Sequence, residues 1–419
     1  MSLVRKNILI LFVIQGTNYL FPLLTIPYLA RVFGPSGIGA LALAQAVILY
    51  LVLIIDFGFN LTTTRRISIA YENGDTKEVN KLFTQTIFIK IIIFFVVSIF
   101  VFLICQFLTQ LNEIKLLIYI GFISLIGAVL NPIWLFQGMQ KINILLIPTA
   151  ISKIITLILI FLFVKDKNDL NFAMLFNSLG LFLSGLISLY YVKKLKLAEV
   201  CKICFSDSKT IVKESFYVFL SYLGSSVYTT MNTFLMSFYI GLKDIGIYSS
   251  ADKVVTTTIS LMSPLQQAIF PNLSNFKEKK DYLLKLRNFG LILILFSALL
   301  SISLFALSEK IVLIIFGEEF LKSVVILEIL SILPLIVSFG IIFGQWGLIV
   351  IGEFKLLGKI YIYGGLTHLT YIFIFLHFFG IYGAAIAIVM TEFLISLALF
   401  FAFINKVKNG IIFPKMDDL

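Results

Sequence analysis

The chain has 419 residues, 60% of them hydrophobic and 13% charged, with a formal net charge of +11. A soluble globular chain carries roughly 25% charged residues, so the composition excludes a water-soluble enzyme or binding domain. Apolar runs of roughly 20 residues, the length that crosses about 30 Å of hydrocarbon, recur throughout; such long uninterrupted runs favour helices over a barrel.

After Met1–Asn7 an apolar stretch runs from Ile8 to Phe33. That exceeds a secretory h-region of about 7–15 residues and no small-x-small site follows, so the first span is expected to be retained. Twelve spans are predicted, at about 8–33, 38–60, 83–108, 115–138, 142–164, 172–193, 215–240, 251–272, 289–314, 323–351, 357–379 and 382–404. The expected fold is an all-α polytopic membrane protein.

Several groups along these spans do not suit lipid, where Lys, Arg, Asp or Glu at a helix centre costs about 2.5–3.5 kcal/mol on insertion scales. The first span holds the polar Gln15–Tyr19 stretch, Pro22 and Pro27, and ends near Arg31. Asp56 lies near the inner end of the second, with Arg65 and Arg66 downstream as pairing candidates. Lys90 stands about two turns into the third span, close enough to the surface to snorkel. The fourth ends in NPIWLFQGMQK (131–141), where Pro132 is expected to bend the exit, Trp134 to sit at the interface and Gly138 to permit a tight turn before Lys141. Lys153 lies roughly 16 Å into the fifth span, near the midplane; it either faces a cavity or pairs with Glu392, comparably deep in the twelfth. The seventh span is polar at Ser225–Thr233, and the eighth carries Asp252, Lys253, Pro264 and Pro271. Pro148 in the fifth span, and Glu328 and Pro334 in the tenth, complete the set. His368 and His377 share one apolar helix and read as packing or interface residues. Proline breaks and polar runs suit helices lining a wet cavity, where water or neighbours take up freed backbone groups; small residues for close helix packing are the plainer alternative.

Of the 33 basic residues, 23 fall on the side of the N-terminus, 7 on the opposite side and 3 (Lys90, Lys153, Lys253) within spans. Cytoplasmic loops are enriched in Lys and Arg, so both termini are expected inside, and the net charge needs no nucleic-acid partner. Cys105, Cys201 and Cys204 form no disulfide framework, and CxxC at 201–204 has no second pair or histidine near it. No cofactor or metal is expected.

The longest polar stretch lies at the midpoint and divides the chain into a six-helix lobe (1–195), a cytoplasmic linker (196–213) and a second six-helix lobe (214–419). FGPSGIG (33–39) and IGLKDIG (240–246) share G-x-x-x-I-G at an offset of 207, and LFQGMQK (135–141) matches IVIGEFK (349–355) at 214. Two matches at nearly one offset indicate an internal repeat. An even number of helices per repeat makes the halves parallel, a transporter architecture.

ARVFGPSGIGALALAQ, DFGFNLTTTRRIS, NPIWLFQGMQK, IGIYSSADKV and FPNLS, in this order, resemble the signature stretches of Wzx-type O-antigen and polysaccharide flippases of the multidrug/oligosaccharidyl-lipid/polysaccharide exporter superfamily. The resemblance covers about 9–406. It implies two six-helix lobes forming a V around a basic central cavity. It also implies alternating-access transfer of an undecaprenyl-pyrophosphate-linked oligosaccharide across the bacterial inner membrane. Arg31, Arg65, Arg66, Lys153 and Lys253 become the candidate substrate contacts, and Asp56, Asp252 and Glu392 candidate coupling or ion-pair residues. Membrane lipid, a polysaccharide polymerase and a chain-length regulator are the implied partners. Lipid II flippases usually carry two further C-terminal helices, which favours a repeat-unit flippase.

Two rivals are weighed against this reading. An ion-coupled multidrug exporter of the same superfamily would need cavity acids, for which Asp56, Asp252, Glu328 and Glu392 are available. A membrane enzyme, such as a polymerase or ligase, would need a sizeable outer loop and a nucleophile–base pair, and neither stands out.

Overall fold

A computed structural model describes the backbone of residues 3–203, 205–274 and 279–409. The side chains of Arg5, Lys6, Gln15–Tyr19, Pro22, Cys204, Pro271, Lys277, Lys279 and Lys415 lie outside the described ones. Among the described residues every regular element is a helix, and eight helical runs are long and apolar enough to cross a membrane. The protein is therefore a multi-pass α-helical membrane protein. Its chain forms two compact units, Met1–Leu223 and Gly224–Leu419.

The first unit contains α1 (Leu3–Asp56), α2 (Phe59–Glu72), α3 (Thr76–Phe107), α4 (Lys115–Leu130), α5 (Ile133–Gly138), α6 (Leu146–Phe163), α7 (Leu170–Lys194) and most of α8 (Phe205–Tyr228). Within α1, Gly34 (φ 64°) separates the two predicted spans. α4 crosses α7 at very short range: a Cβ on Gly127 would lie 2.5 Å from the Phe182 nitrogen, and one on Gly185 2.8 Å from the Gly127 carbonyl oxygen. Small residues let spanning helices approach this closely. At the start of α7, the Asp169 carboxylate accepts from the Lys165 and Asp166 backbone N–H groups at 2.9 Å each, which holds it below the usual aspartate range.

Residues 61–72, left between the second and third predicted spans, are helical as part of α2. Phe59, Thr63, Ile67 and Ala70 are buried at helical spacing, and this face joins a core with Phe83, Trp134 and Phe136. Its apolar stripe is too short to register as a span, which is why the sequence hid it.

The fourth span also needs correction. Pro132 does break it, between α4 and α5. Trp134, however, is fully buried against Phe83 with ring centroids 6.0 Å apart, so it is a core residue and not an interface anchor. The tight turn places its positive φ at Gln140 (56°) and closes through Lys141 N–H to the Phe136 carbonyl at 2.8 Å. In the second unit the matching turn has its positive φ at Gly352 (81°) and closes from Glu353 N–H to the Leu348 carbonyl, also 2.8 Å. The structural repeat thus pairs Gln140 with Gly352, two residues away from the pairing that sequence identity suggested. Gly138 serves packing instead: a Cβ there would lie 2.7 Å from Ile67 Cγ2 and 2.8 Å from the Thr64 carbonyl oxygen. Gly138→Ala should therefore cost about 1–3 kcal/mol, read as a lower thermal midpoint in detergent. Gly241→Ala meets nothing within 4 Å and should leave that midpoint unchanged.

The second unit continues with α9 (Asn232–Met236), α10 (Leu242–Ser260), α11 (Ser263–Ser274), α12 (Lys279–Ala306), α13 (Ser308–Ile315), α14 (Ser323–Leu330), α15 (Leu333–Gly340), a π-helical stretch Ile341–Ile349 and α16 (Phe354–Lys408). Four predicted spans of this unit are broken helices, the ninth at Leu307 between α12 and α13. The seventh is interrupted between α8 and α9, the eighth between α10 and α11 just ahead of Pro264, and the tenth between α14 and α15, where Pro334 occupies the first turn. Gly380 (φ 55°) divides α16 into the last two predicted spans. A core of Tyr282, Trp346, Ile395, Leu399 and Phe403 packs α12, the π stretch and α16, and the Tyr282 hydroxyl donates to the Trp346 carbonyl at 2.6 Å.

Candidate functional site

In the first unit the charged groups are organised by the turn Asp56-Phe57-Gly58. α1 ends at Asp56, and the chain turns through Phe57 (φ 43°) and Gly58 (φ 78°). Only glycine fits at 58, where α8 passes so closely that a Cβ would meet the Ser215 carbonyl oxygen at 3.0 Å and the Phe219 nitrogen at 3.1 Å. Phe57 stacks on Phe219 at 4.4 Å, and the Thr62 and Ser215 hydroxyls lie 2.6 Å apart. These contacts fix the Asp56 carboxylate 2.6 Å from Lys90 Nζ.

Lys90 is 1% exposed and also donates to the Ala128 carbonyl at 3.2 Å. It does not snorkel; its ammonium joins α1, α3 and α4 from within. Asp56 pairs with this lysine and not with the downstream arginines. Arg66 instead bonds Glu78 at 3.1 Å and approaches Glu214 at 3.6 Å, while Arg65 is exposed on α2. The signal available in the sequence was that an in-span lysine needs a buried partner, and Asp56 was the in-span acid at hand.

Arg31 is exposed on α1 and Lys153 is half-buried on α6. The residues flanking Lys153 turn their polar atoms back to backbone: Ser152 Oγ donates to the Thr149 carbonyl at 3.1 Å and Thr156 Oγ1 to the Phe176 carbonyl at 3.3 Å.

In the second unit, Lys253 is exposed on α10 beside exposed Thr256. Thr256 Oγ1 and Thr257 Oγ1 both donate to the Lys253 carbonyl, at 3.2 and 2.7 Å, so these hydroxyls keep their lone pairs available on the same face. Asp252 is half-buried, one turn beyond Tyr248. Glu392, half-buried on α16, lies near Tyr228 and Tyr361.

The group that sequence reasoning missed is a buried polar chain around His368. The ring is fully buried, with Nδ1 2.7 Å from Thr391 Oγ1 and Nε2 3.2 Å from Asn232 Oδ1. Asn232 in turn reaches the Tyr248 hydroxyl at 3.0 Å. A single histidine on an apolar helix gave no hint of partners 136 residues away in sequence.

Broken helices around buried polar groups, in two units each built from a bundle of spans, define a secondary-transporter fold. The structure superposes on the lipid II flippase MurJ with a TM-score of 0.74 at 16% identity, covering 96% of this chain and 87% of that one. It superposes on a multidrug resistance MATE family transporter of the MOP superfamily with a TM-score of 0.73 at 14% identity, covering 94% and 95%. Within that fold, the polysaccharide biosynthesis protein family model matches residues 4–277, and the chain belongs to this family. A candidate O-antigen transporter of Shigella dysenteriae is 37% identical over 94% of this chain and 98% of its own length.

Proposed function

We propose that the protein is a flippase that carries an undecaprenyl-pyrophosphate-linked oligosaccharide, an O-antigen or related envelope repeat unit, from the cytoplasmic to the periplasmic leaflet by alternating access. The observation that carries this reading is near full-length similarity to a candidate O-antigen transporter. The charges support it. Arg31 and Lys253 are exposed on spanning helices and Lys153 is half-buried, whereas Asp56 is paired with Lys90. Cations exposed or half-buried along the spans suit a pyrophosphate cargo better than the cationic drug that the rival reading requires.

In this reading Arg31, Arg65, Lys153 and Lys253 contact the substrate along its path, Arg66 orders the cytoplasmic end of α2 through its two glutamates, and Asp252 and Glu392 are the acids left for ion coupling. The protein sits in the bacterial inner membrane with twelve spans, the first lobe at 1–195, the linker at 196–213 and the second lobe at 214–419. A polymerase and a chain-length regulator would take up the delivered repeat units.

Deleting the gene in the bacterium that encodes it should abolish surface polysaccharide and leave undecaprenyl-linked repeat units on the cytoplasmic leaflet. Unchanged surface polysaccharide would overturn the assignment. The topology has its own test: fusions at Lys202 and at Leu419 should be active only with a cytoplasmic reporter, as the positive-inside bias requires. A periplasmic signal at either position would exclude two parallel six-helix repeats.

A further inference from the structure

The break in the seventh span is held by side chains to which the substrate path gives no role. α8 ends at Tyr228, the Met231 N–H reaches back to the Ser226 carbonyl at 2.9 Å, and the short α9 starts at Asn232. Asn232 is 1% exposed and lies between Tyr248 of α10 and His368 of α16. Thr391, on the other ring nitrogen, lies beyond the Gly380 kink. One imidazole therefore ties the break to both halves of α16.

Counting donors fixes the state of that ring. Thr391 Oγ1 has a single hydrogen and lies 2.6 Å from the Ala387 carbonyl, which can only accept. That hydrogen is spent there, so Thr391 must accept from its other two neighbours, the Tyr371 hydroxyl and His368 Nδ1. Nδ1 thus carries a proton.

At Nε2 two arrangements remain. With Asn232 Oδ1 facing it, Nε2 must carry a proton too, giving an imidazolium at 0% exposure. Among the described residues no carboxylate is in ion-pair distance of that ring. With the amide rotated by half a turn, which exchanges two atoms of nearly equal scattering and size, Nδ2 donates to a neutral Nε2 and the Tyr248 hydroxyl donates to Oδ1. An unpaired buried charge is far costlier than a rotated amide, so the second arrangement is the resting one.

We propose that His368 is a positioning residue, held as the neutral Nδ1–H tautomer. In this state it accepts from Asn232 and keeps the break between α8 and α9 closed onto α16. A proton delivered to Nε2 would turn the Asn232 amide and leave Tyr248 accepting from Nδ2, with its own hydrogen free to face Asp252 one turn away. The ionisable groups around the ring are Tyr228 of α8, Tyr248 and Asp252 of α10, Tyr361 and Tyr371 on its own half of α16, and Glu392 next to Thr391. The tautomer assignment is independent of the flippase reading; the role of the break in transport rests on it.

The chain has only two histidines, and His377 is exposed, so His377→Gln leaves His368 as the sole label. Full-length His377→Gln protein with ring-¹⁵N histidine, in lipid nanodiscs at neutral pH, should show a protonated Nδ1 and a bare Nε2 by nitrogen NMR. A protonated Nε2, alone or with Nδ1, would overturn the proposal. Hydrogen exchange over residues 226–236 supplies the positional readout. His368→Phe should speed exchange there by about tenfold, while His368→Gln, which keeps an uncharged donor and acceptor, should stay near wild type. After correction for intrinsic rates, acidification should speed the same segment in wild type and not in His368→Gln. Equal exchange in the Phe variant and wild type, or an acid response that persists in the Gln variant, would remove His368 from control of the break.

Discussion

Lys153→Met should remove nearly all surface polysaccharide while leaving the protein at its normal level in the membrane. Methionine keeps the length and apolar stem of lysine and discards the charge, so insertion becomes easier, by up to about 2.5–3.5 kcal/mol at the helix centre. Whatever is lost is then a function of the ammonium. A hydrogen bond to a charged phosphate oxygen is worth about 1.5–3 kcal/mol, which is roughly a ten- to hundredfold change in an equilibrium. Lys153 is half-buried on α6. Lys153→Arg, which restores the charge and adds a planar fork that suits phosphate, should retain much of the activity. Two results would count against the substrate role. Wild-type polysaccharide in the Met variant would take Lys153 off the path, and a fall in abundance would make its role structural.

The helical class, the membrane and the family-level signatures were legible in the sequence because each is written in local composition. A run of apolar residues announces a span, and DFGFNLTTTRR or NPIWLFQGMQK can be read without knowing what they touch. The failures share a cause. Lys90 was read by depth along its own helix, but its state is decided by Asp56 on a different helix, 34 residues earlier. Trp134 was read by residue type, but α2 and α3 close over it. His368 was read as a lone polar residue, while Thr391 and Asn232 bond its two ring nitrogens and Tyr248 bonds Asn232 in turn. Even the repeat was misaligned by two residues at its turns, because Gly138 is glycine for packing and Gly352 for its backbone angle. Identity at a position does not say which of the two demands produced it.

The Asp56–Lys90 pair should show a marked asymmetry between its two halves. Removing one partner of a buried ion pair typically costs about 3–5 kcal/mol, because the other charge is stranded, and that is a large part of a total stability of about 5–15 kcal/mol. The two strandings differ here. In Asp56→Ala the ammonium, 1% exposed, keeps only the Ala128 carbonyl. In Lys90→Met the carboxylate keeps 29% exposure and can take up a proton or reach water. Asp56→Ala should therefore deplete folded protein more than Lys90→Met, and Asp56→Asn, which preserves an oxygen acceptor for Nζ, should fall between wild type and Asp56→Ala. Combining Asp56→Ala with Lys90→Met leaves no unpaired charge, so abundance should recover beyond either single change. Polysaccharide measured in that double variant then separates two roles. Recovery of transport along with abundance would make the pair purely architectural. Normal abundance without transport would mean that making and breaking this pair is part of the cycle.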